Sequence, residues 1–109
     1  MPLPYENDPD SGVVTESKPK QKLQKPRMFK VLLHNDHYTT REFVVSILRE
    51  VFHKTMNEAT RIMLHVHTNG MGVAGVYTRD VAETKIRQVE QRAREEEHPL
   101  RLSMEPEDD

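Results

Sequence analysis

The stretch Leu33-His34-Asn35-Asp36-His37-Tyr38-Thr39-Thr40-Arg41-Glu42-Phe43 decides how this chain is read. Before it, Met28-Phe29-Lys30-Val31-Leu32-Leu33 follows Pro26 and is rich in strand-forming residues, with Phe29, Val31 and Leu33 alternating onto one face. After it, Phe43, Val44, Ile47, Leu48, Val51 and Phe52 recur at helical spacing. The stretch is therefore a corner between a strand and a helix. Such a corner holds polar groups at the protein's edge while its apolar neighbours pack.

Working outward, Thr39-Thr40-Arg41-Glu42 fits the Thr-x-x-Glu capping box, which satisfies the free amides of a helix start. That first helix is expected to end near His53. Thr55-Met56-Asn57-Glu58 repeats the box, Ala59, Ile62, Met63 and Val66 form the next apolar stripe, and Asn69-Gly70 offers a left-handed stop. Met71 to Tyr77 reads as a strand, because Gly72 and Gly75 would each weaken a helix by about 1 kcal/mol. Thr78 is expected to cap a third helix with Asp80 and Glu83 in its first turn. Val81, Ala82, Ile86, Val89 and Ala93 make its stripe, and Glu83–Arg87 and Glu90–Arg94 are its supporting pairs. His98-Pro99 stops it, and Leu100, Leu102 and Met104 alternate in a last strand. The order β-α-α-β-α-β predicts an α+β fold: a small three-stranded sheet with three helices on one face. No short hairpin loop fixes the pairing; antiparallel is the favoured arrangement.

The chain of 109 residues suits one small domain. Residues 1–26 hold five of the seven prolines and few large apolar side chains, so they cannot offset their ordering entropy and are expected to form a flexible arm. Lys18, Lys20, Lys22, Lys25 and Arg27 make its second half basic, either as a solvated tether or as an arm for an acidic partner. Residues 27–104 form the core, and 105–109 an acidic, disordered tail. The net charge of -2 gives no overall pull toward nucleic acid or an acidic membrane, and the absence of cysteine excludes disulfides and thiolate chemistry. No apolar run approaches the roughly 20 residues of a membrane helix, and the N-terminus lacks a signal peptide's apolar core, so a cytoplasmic protein is expected. Nothing in the sequence indicates more than a monomer.

No hydrolase, phosphate-loop, zinc-protease or dinucleotide motif is present, so neither catalysis nor a cofactor is expected. The basic residues alternate with acids, which disfavours nucleic-acid binding. His65 and His67 point about 200° apart on a helix and cannot share an ion. His34, His53, His65 and His98 read as surface or edge residues. Two alternatives stay open: a small metal-dependent enzyme using Asp36, His37 and His67, and a structural interaction domain without a ligand. Asn35 and Asp36 by themselves suit a turn, since their side chains bond local backbone. His67, however, lies four residues after Met63 and so on the same helical face, with Val66 and Met63 able to line a hole. A carboxylate, an amide and an imidazole beside apolar walls suit an ammonium attached to a bulky apolar group. A peptide's α-amino group, with a pKa near 8, is such an ammonium.

Lys30-Val31-Leu32-Leu33-His34-Asn35-Asp36, Tyr38-Thr39 and Glu42-Phe43-Val44 together resemble the ClpS family. So do Ala59-Thr60, Met63-Leu64-His65-Val66-His67, Gly75-Val76-Tyr77-Thr78, Val81-Ala82-Glu83-Thr84-Lys85 and Glu97-His98-Pro99-Leu100. The resemblance runs from about Met28 to Leu100. It implies a non-enzymatic adaptor of bacterial regulated proteolysis. Such adaptors bind N-degrons, proteins and peptides that begin with Leu, Phe, Tyr or Trp. They deliver these to a Clp AAA+ unfoldase, usually ClpA, which feeds ClpP, and so modulate the protease's substrate choice. By position, Asn35, Asp36 and His67 would hold the α-amino group. Thr39, Val44, Met63, Val66 and Leu100 would lie in or beside the side-chain pocket. Tyr38, Asp80, Glu83 and Lys85 would lie on or near the surface that meets the unfoldase's N-terminal domain, and the arm would be engaged during delivery. Two positions depart from the family pattern: His37 stands where many members have a second acid, and Arg41 where many have a Met at the pocket mouth. These departures imply a retained amine site with shifted preference among the four residues.

Overall fold

The computed structural model describes residues 25–108. Strand β1 (Met28–His34) is followed by helices α1 (Arg41–Glu50) and α2 (Met56–Asn69), strand β2 (Met71–Thr78), helix α3 (Arg79–Glu95) and strand β3 (Arg101–Pro106). This is the expected α+β order. β1 is the central strand, flanked by β2 and β3, and both pairings are antiparallel. The expected arm, residues 1–26, lies outside the described residues but for its last two positions, and so does Asp109. No helix among the described residues is long and apolar enough to cross a membrane.

The alternation of β1 decides which face carries the core. Phe29, Val31 and Leu33 join one buried cluster with Phe43, Val44, Ile47 and Leu48 of α1, Ala59 and Val66 of α2, Val89 of α3 and Leu102 of β3. The opposite face of β1 is polar at both ends. Lys30 meets Glu105 across the pairing at 3.6 Å, and His34 meets the Ser103 hydroxyl at 2.6 Å. The β1–β2 register slips by one residue after Val31, which pairs with Gly75 while Leu32 pairs with Val73. The extra residue, Ala74, is fully buried. Such a bulge bends its strand and strengthens its twist.

The helix ends follow side-chain chemistry, with some departures from the sequence pattern. Thr55 and Glu58 form the full reciprocal capping box, and Gly70 closes α2 with a left-handed φ of 91°. The box expected at Thr39 and Glu42 does not form. The cap of α1 is Thr40, whose hydroxyl accepts from the Phe43 amide at 3.1 Å, because Thr39 has another partner in the corner. α1 stops at Glu50, short of the expected His53, and His53 itself takes a left-handed φ of 57°. Thr78 occupies the cap position of α3 but makes no side-chain cap bond.

The two ion pairs expected along α3 give way to other partners. Glu83 lies 3.9 Å from Arg79, and the Glu90 carboxylate accepts from the Leu102 amide, tying α3 to β3. Val81, expected in the apolar stripe, is 43% exposed. The sheet runs on into the stretch expected as an acidic tail from residue 105. Glu105 and Pro106 belong to β3, and the Glu107 amide donates to the Met28 carbonyl, because β1 still offers partners there.

Burial and capping make separable contributions. Leu33→Ala is expected to cost about 2–5 kcal/mol in urea unfolding, since Leu33 is fully buried in the core. Thr55→Ala is expected to cost about 1 kcal/mol, and Thr78→Ala clearly less. Equal losses at the two threonines would contradict this assignment of the caps.

Candidate functional site

The corner between β1 and α1 is built around one carboxylate. Oδ1 of Asp36 accepts from the amides of Tyr38 at 2.7 Å and Thr39 at 2.6 Å, and Oδ2 accepts from the Thr39 hydroxyl at 2.7 Å. Burial is the largest single influence on this group and pushes its pKa up. The Thr39 amide and hydroxyl, the Tyr38 amide and the neighbouring His37 together outweigh it, so the carboxyl lies below its ordinary value. Asp36 is thus the turn former that its sequence context permits. A carboxylate has roughly four acceptor sites, and these three bonds leave a lone pair on Oδ2 for an outside donor.

The second wall comes from α2. The Asn35 amide donates to the Gly70 carbonyl at 2.9 Å, and the next pairing, His34 with Met71, belongs to the sheet. The end of α2 is thereby fastened to the corner, with Val66 and His67 in its last turn and Met63 one turn earlier. A cavity of about 440 Å³ opens between the two walls. Asn35, Asp36, His37, Thr39, Arg41, Val44, Met63, Val66 and His67 line it, as do Tyr38, Thr40 and Glu42. A smaller hole of about 20 Å³ lies deeper, bounded by Leu33, His34, Asn35, Asp36, Thr39, Val44, Val66 and Leu100. The three residues expected to hold an amine line the larger cavity together with four of the five expected around an apolar pocket, Thr39, Val44, Met63 and Val66, while the fifth, Leu100, lines only the smaller hole. Thr40 and Glu42 are lining residues that the sequence reading missed, because both had been absorbed into helix capping.

Arg41 is placed where it matters most. Its guanidinium lies 3.3 Å from Nε2 of His67. A guanidinium only donates, so in this contact Nε2 is the acceptor and the ring proton sits on Nδ1. The contact also lays a cation across the mouth of the cavity. Behind α1, the ring of Phe43 packs against His98 with centroids 4.4 Å apart, which seats the helix start above Leu100.

The residues expected on a partner-binding surface do not form one patch. Tyr38 is 79% exposed and stands at the corner. Asp80 and Glu83 are exposed at the start of α3, which follows the end of β2 paired with Met28, at the other end of the sheet. Lys85 is half-buried: its ammonium donates to the Val51 carbonyl at 2.7 Å and lies over the rings of Phe52 and Tyr77. It ties α3 to the end of α1, where a cation is favoured. Among the described residues no three His, Asp or Glu side chains form a group that could hold a metal ion. Asp36, His37 and His67 therefore do not make the metal centre of the alternative enzyme reading.

The chain is similar to proteins of one known family. The family model described as "ATP-dependent Clp protease adaptor protein ClpS" matches residues 24–103. A ClpS adapter protein of Myxococcus xanthus is 67% identical over 106 residues, covering 97% of this chain and 99% of the relative. One from Desulfatibacillum aliphaticivorans is 60% identical, covering 97% and 98%. Among solved structures, Agrobacterium tumefaciens ClpS2 bound to L-phenylalaninamide superposes with a TM-score of 0.73 at 40% identity, covering 76% of this chain and 100% of that one. With a family model matching residues 24–103 and relatives at 60–67% identity over nearly the whole chain, the chain belongs to the ClpS family of ATP-dependent Clp protease adaptor proteins.

Proposed function

We propose that this chain is a non-enzymatic adaptor that captures proteins by a free α-amino group and a bulky first residue, Leu, Phe, Tyr or Trp. It then delivers them to a Clp AAA+ unfoldase of the ClpA type. One observation carries the reading: a carboxylate with a lone pair to spare, an amide and an imidazole converge on a cavity with apolar walls. L-Phenylalaninamide, the ligand named for the Agrobacterium relative, offers a protonatable amine and an apolar ring on one carbon and no free carboxylate.

Asn35, Asp36 and His67 hold the ammonium in this reading. Hydrogen bonds involving a charged group contribute about 1.5–3 kcal/mol each. Thr39, Val44, Met63, Val66 and Leu100 receive the side chain, and burying a Leu or Phe adds about 1.5–3 kcal/mol. Neither part suffices alone, and this is the source of specificity. An acetylated terminus has lost its charge and donors, while a small first residue leaves the hole unfilled.

The charge of Asp36 can be separated from its structural work. Asp36→Asn keeps an oxygen for the Tyr38 and Thr39 amides and is expected to fold normally, while weakening a Phe-initiated peptide at least tenfold. Because the Asp36 carboxyl lies below its ordinary value, its ionised form is present above the usual Asp pKa and is lost only as pH falls through that lowered value. The peptide's amine, with a pKa of about 7.7–8.0, sets the alkaline limit, and affinity is expected to fall about six- to sevenfold between pH 8 and 9. Fluorescence anisotropy with a C-terminally labelled peptide reads both. A profile flat to pH 9.5 would contradict an ammonium ligand.

Arg41 lies against His67 and carries the same charge as the ligand. Arg41→Met is expected to strengthen binding about two- to fivefold and to change the order of preference among the four first residues. If affinity and order both stay as they were, Arg41 plays no part in selection.

For the unfoldase surface, Asp80 and Glu83 are the accessible members on α3, with Lys85 holding the α1 end beneath them and Tyr38 exposed apart from them at the corner. Asp80→Lys with Glu83→Lys is expected to abolish capture by an isolated unfoldase N-terminal domain while leaving peptide affinity unchanged. Retained capture would move that surface elsewhere.

A further inference from the structure

A second depression, of about 680 Å³, runs between α1 and α2 and shares Arg41, Glu42 and Met63 with the amine-site cavity. We infer that this groove receives the substrate residues that follow the first, and that it favours an acidic side chain at the fourth or fifth. The inference rests on the amine-site reading, because the groove begins where a peptide held at Asn35, Asp36 and His67 would leave the cavity.

The wall of the groove is two neighbouring stripes of α1, one of Glu42, Ser46 and Glu50 and one that carries the cations. Arg41, Val45 and Arg49 are spaced by four and lie one above another along the helix. Met56 and Met63 of α2 face them, and Met56 is 51% exposed, so the floor is apolar and adaptable. Such a floor tolerates many side chains, as a surface following a fixed anchor must.

Charge distinguishes the two ends. Near the mouth, Arg41 is followed directly by Glu42, and the local charges offset. At the far end Glu50 is engaged from the opposite side by Arg92 at 2.9 Å. The exposed Arg49 side chain makes no ion pair or hydrogen bond among the described residues. The far end is therefore net positive toward the groove. From Arg41 to Arg49 is eight residues of helix, about 12 Å. An extended peptide covers that in about three to four residues at roughly 3.3 Å each. A chain whose first residue is seated beside Arg41 reaches Arg49 with its fourth or fifth.

The test uses the full chain and C-terminally labelled five-residue peptides that begin with Phe and carry Asp, Ser or Lys at the fourth or fifth position. A Phe-Ser dipeptide amide serves as a reference that ends before Arg49. Asp is expected to bind about two- to fivefold tighter than Lys, with the difference shrinking as salt is raised. Arg49→Glu is expected to reverse the preference, and Arg49→Gln to erase it, with neither altering affinity for the dipeptide. If the dipeptide binds but Asp and Lys peptides bind alike, or if Arg49→Glu leaves their ratio unchanged, the groove assignment is overturned and the amine site stands. If the dipeptide does not bind to the unaltered protein, the amine site falls and this inference with it.

Discussion

One backbone hydrogen bond, from the Asn35 amide to the Gly70 carbonyl, joins the two halves of the site. It is the last rung of the antiparallel pairing that begins at Met28 and Thr78. Only because α2 ends in a left-handed glycine can the chain turn straight into β2 and run back beside β1. That return leaves the final turn of α2 next to the corner that leaves β1. His67 and Asp36, 31 positions apart in sequence, thus face one cavity. Any change that lengthened the connection at Gly70 would separate the imidazole from the carboxylate without touching either.

Within the corner, structure and recognition draw on the same groups. Asp36 spends three acceptor positions on its own turn, which fixes the carboxylate and holds it ionised. A fixed anion costs less entropy to use than one that must be ordered on binding. Thr39 serves likewise, fastening Asp36 with its hydroxyl while lining the inner hole. At the rim, Arg41 donates to the imidazole that an incoming amine would also need. In the proposed reading, the site's affinity is the balance of a preformed anion against a resident cation.

The sequence made the element order legible because apolar spacing and caps agreed at nearly every boundary. Phe29, Val31 and Leu33 marked one face, and Thr55-x-x-Glu58 and Gly70 marked both ends of α2. What it hid was competition between local partners. Thr39 and Thr40 are equivalent as letters, yet Asp36 takes the first and leaves the second to cap α1. Glu90 could pair with Arg94 by spacing alone, but the Leu102 amide needs an acceptor and lies across the fold. Lys85, expected on or near a partner-facing surface, also donates to the Val51 carbonyl, a contact that only the packing of α3 on the end of α1 shows. In the site, residue types and family resemblance pointed to Asn35, Asp36 and His67. The Arg41–His67 contact needed coordinates, because it joins two elements whose relative angle no local pattern states.

The placement of β1 has a mechanical consequence. It is the middle strand, hydrogen-bonded on both sides over most of its length, with the cavity beyond its C-terminal end and the chain's leading segment attached at Met28. Under the proposed function, a pull on that segment against a ligand held at Asn35 and Asp36 would run along the covalent backbone of β1 itself. That backbone is already extended, so it has little slack to give, and neither ladder has to be unzipped to carry the load. The central strand would thus act as a tie between the leading segment and the ligand.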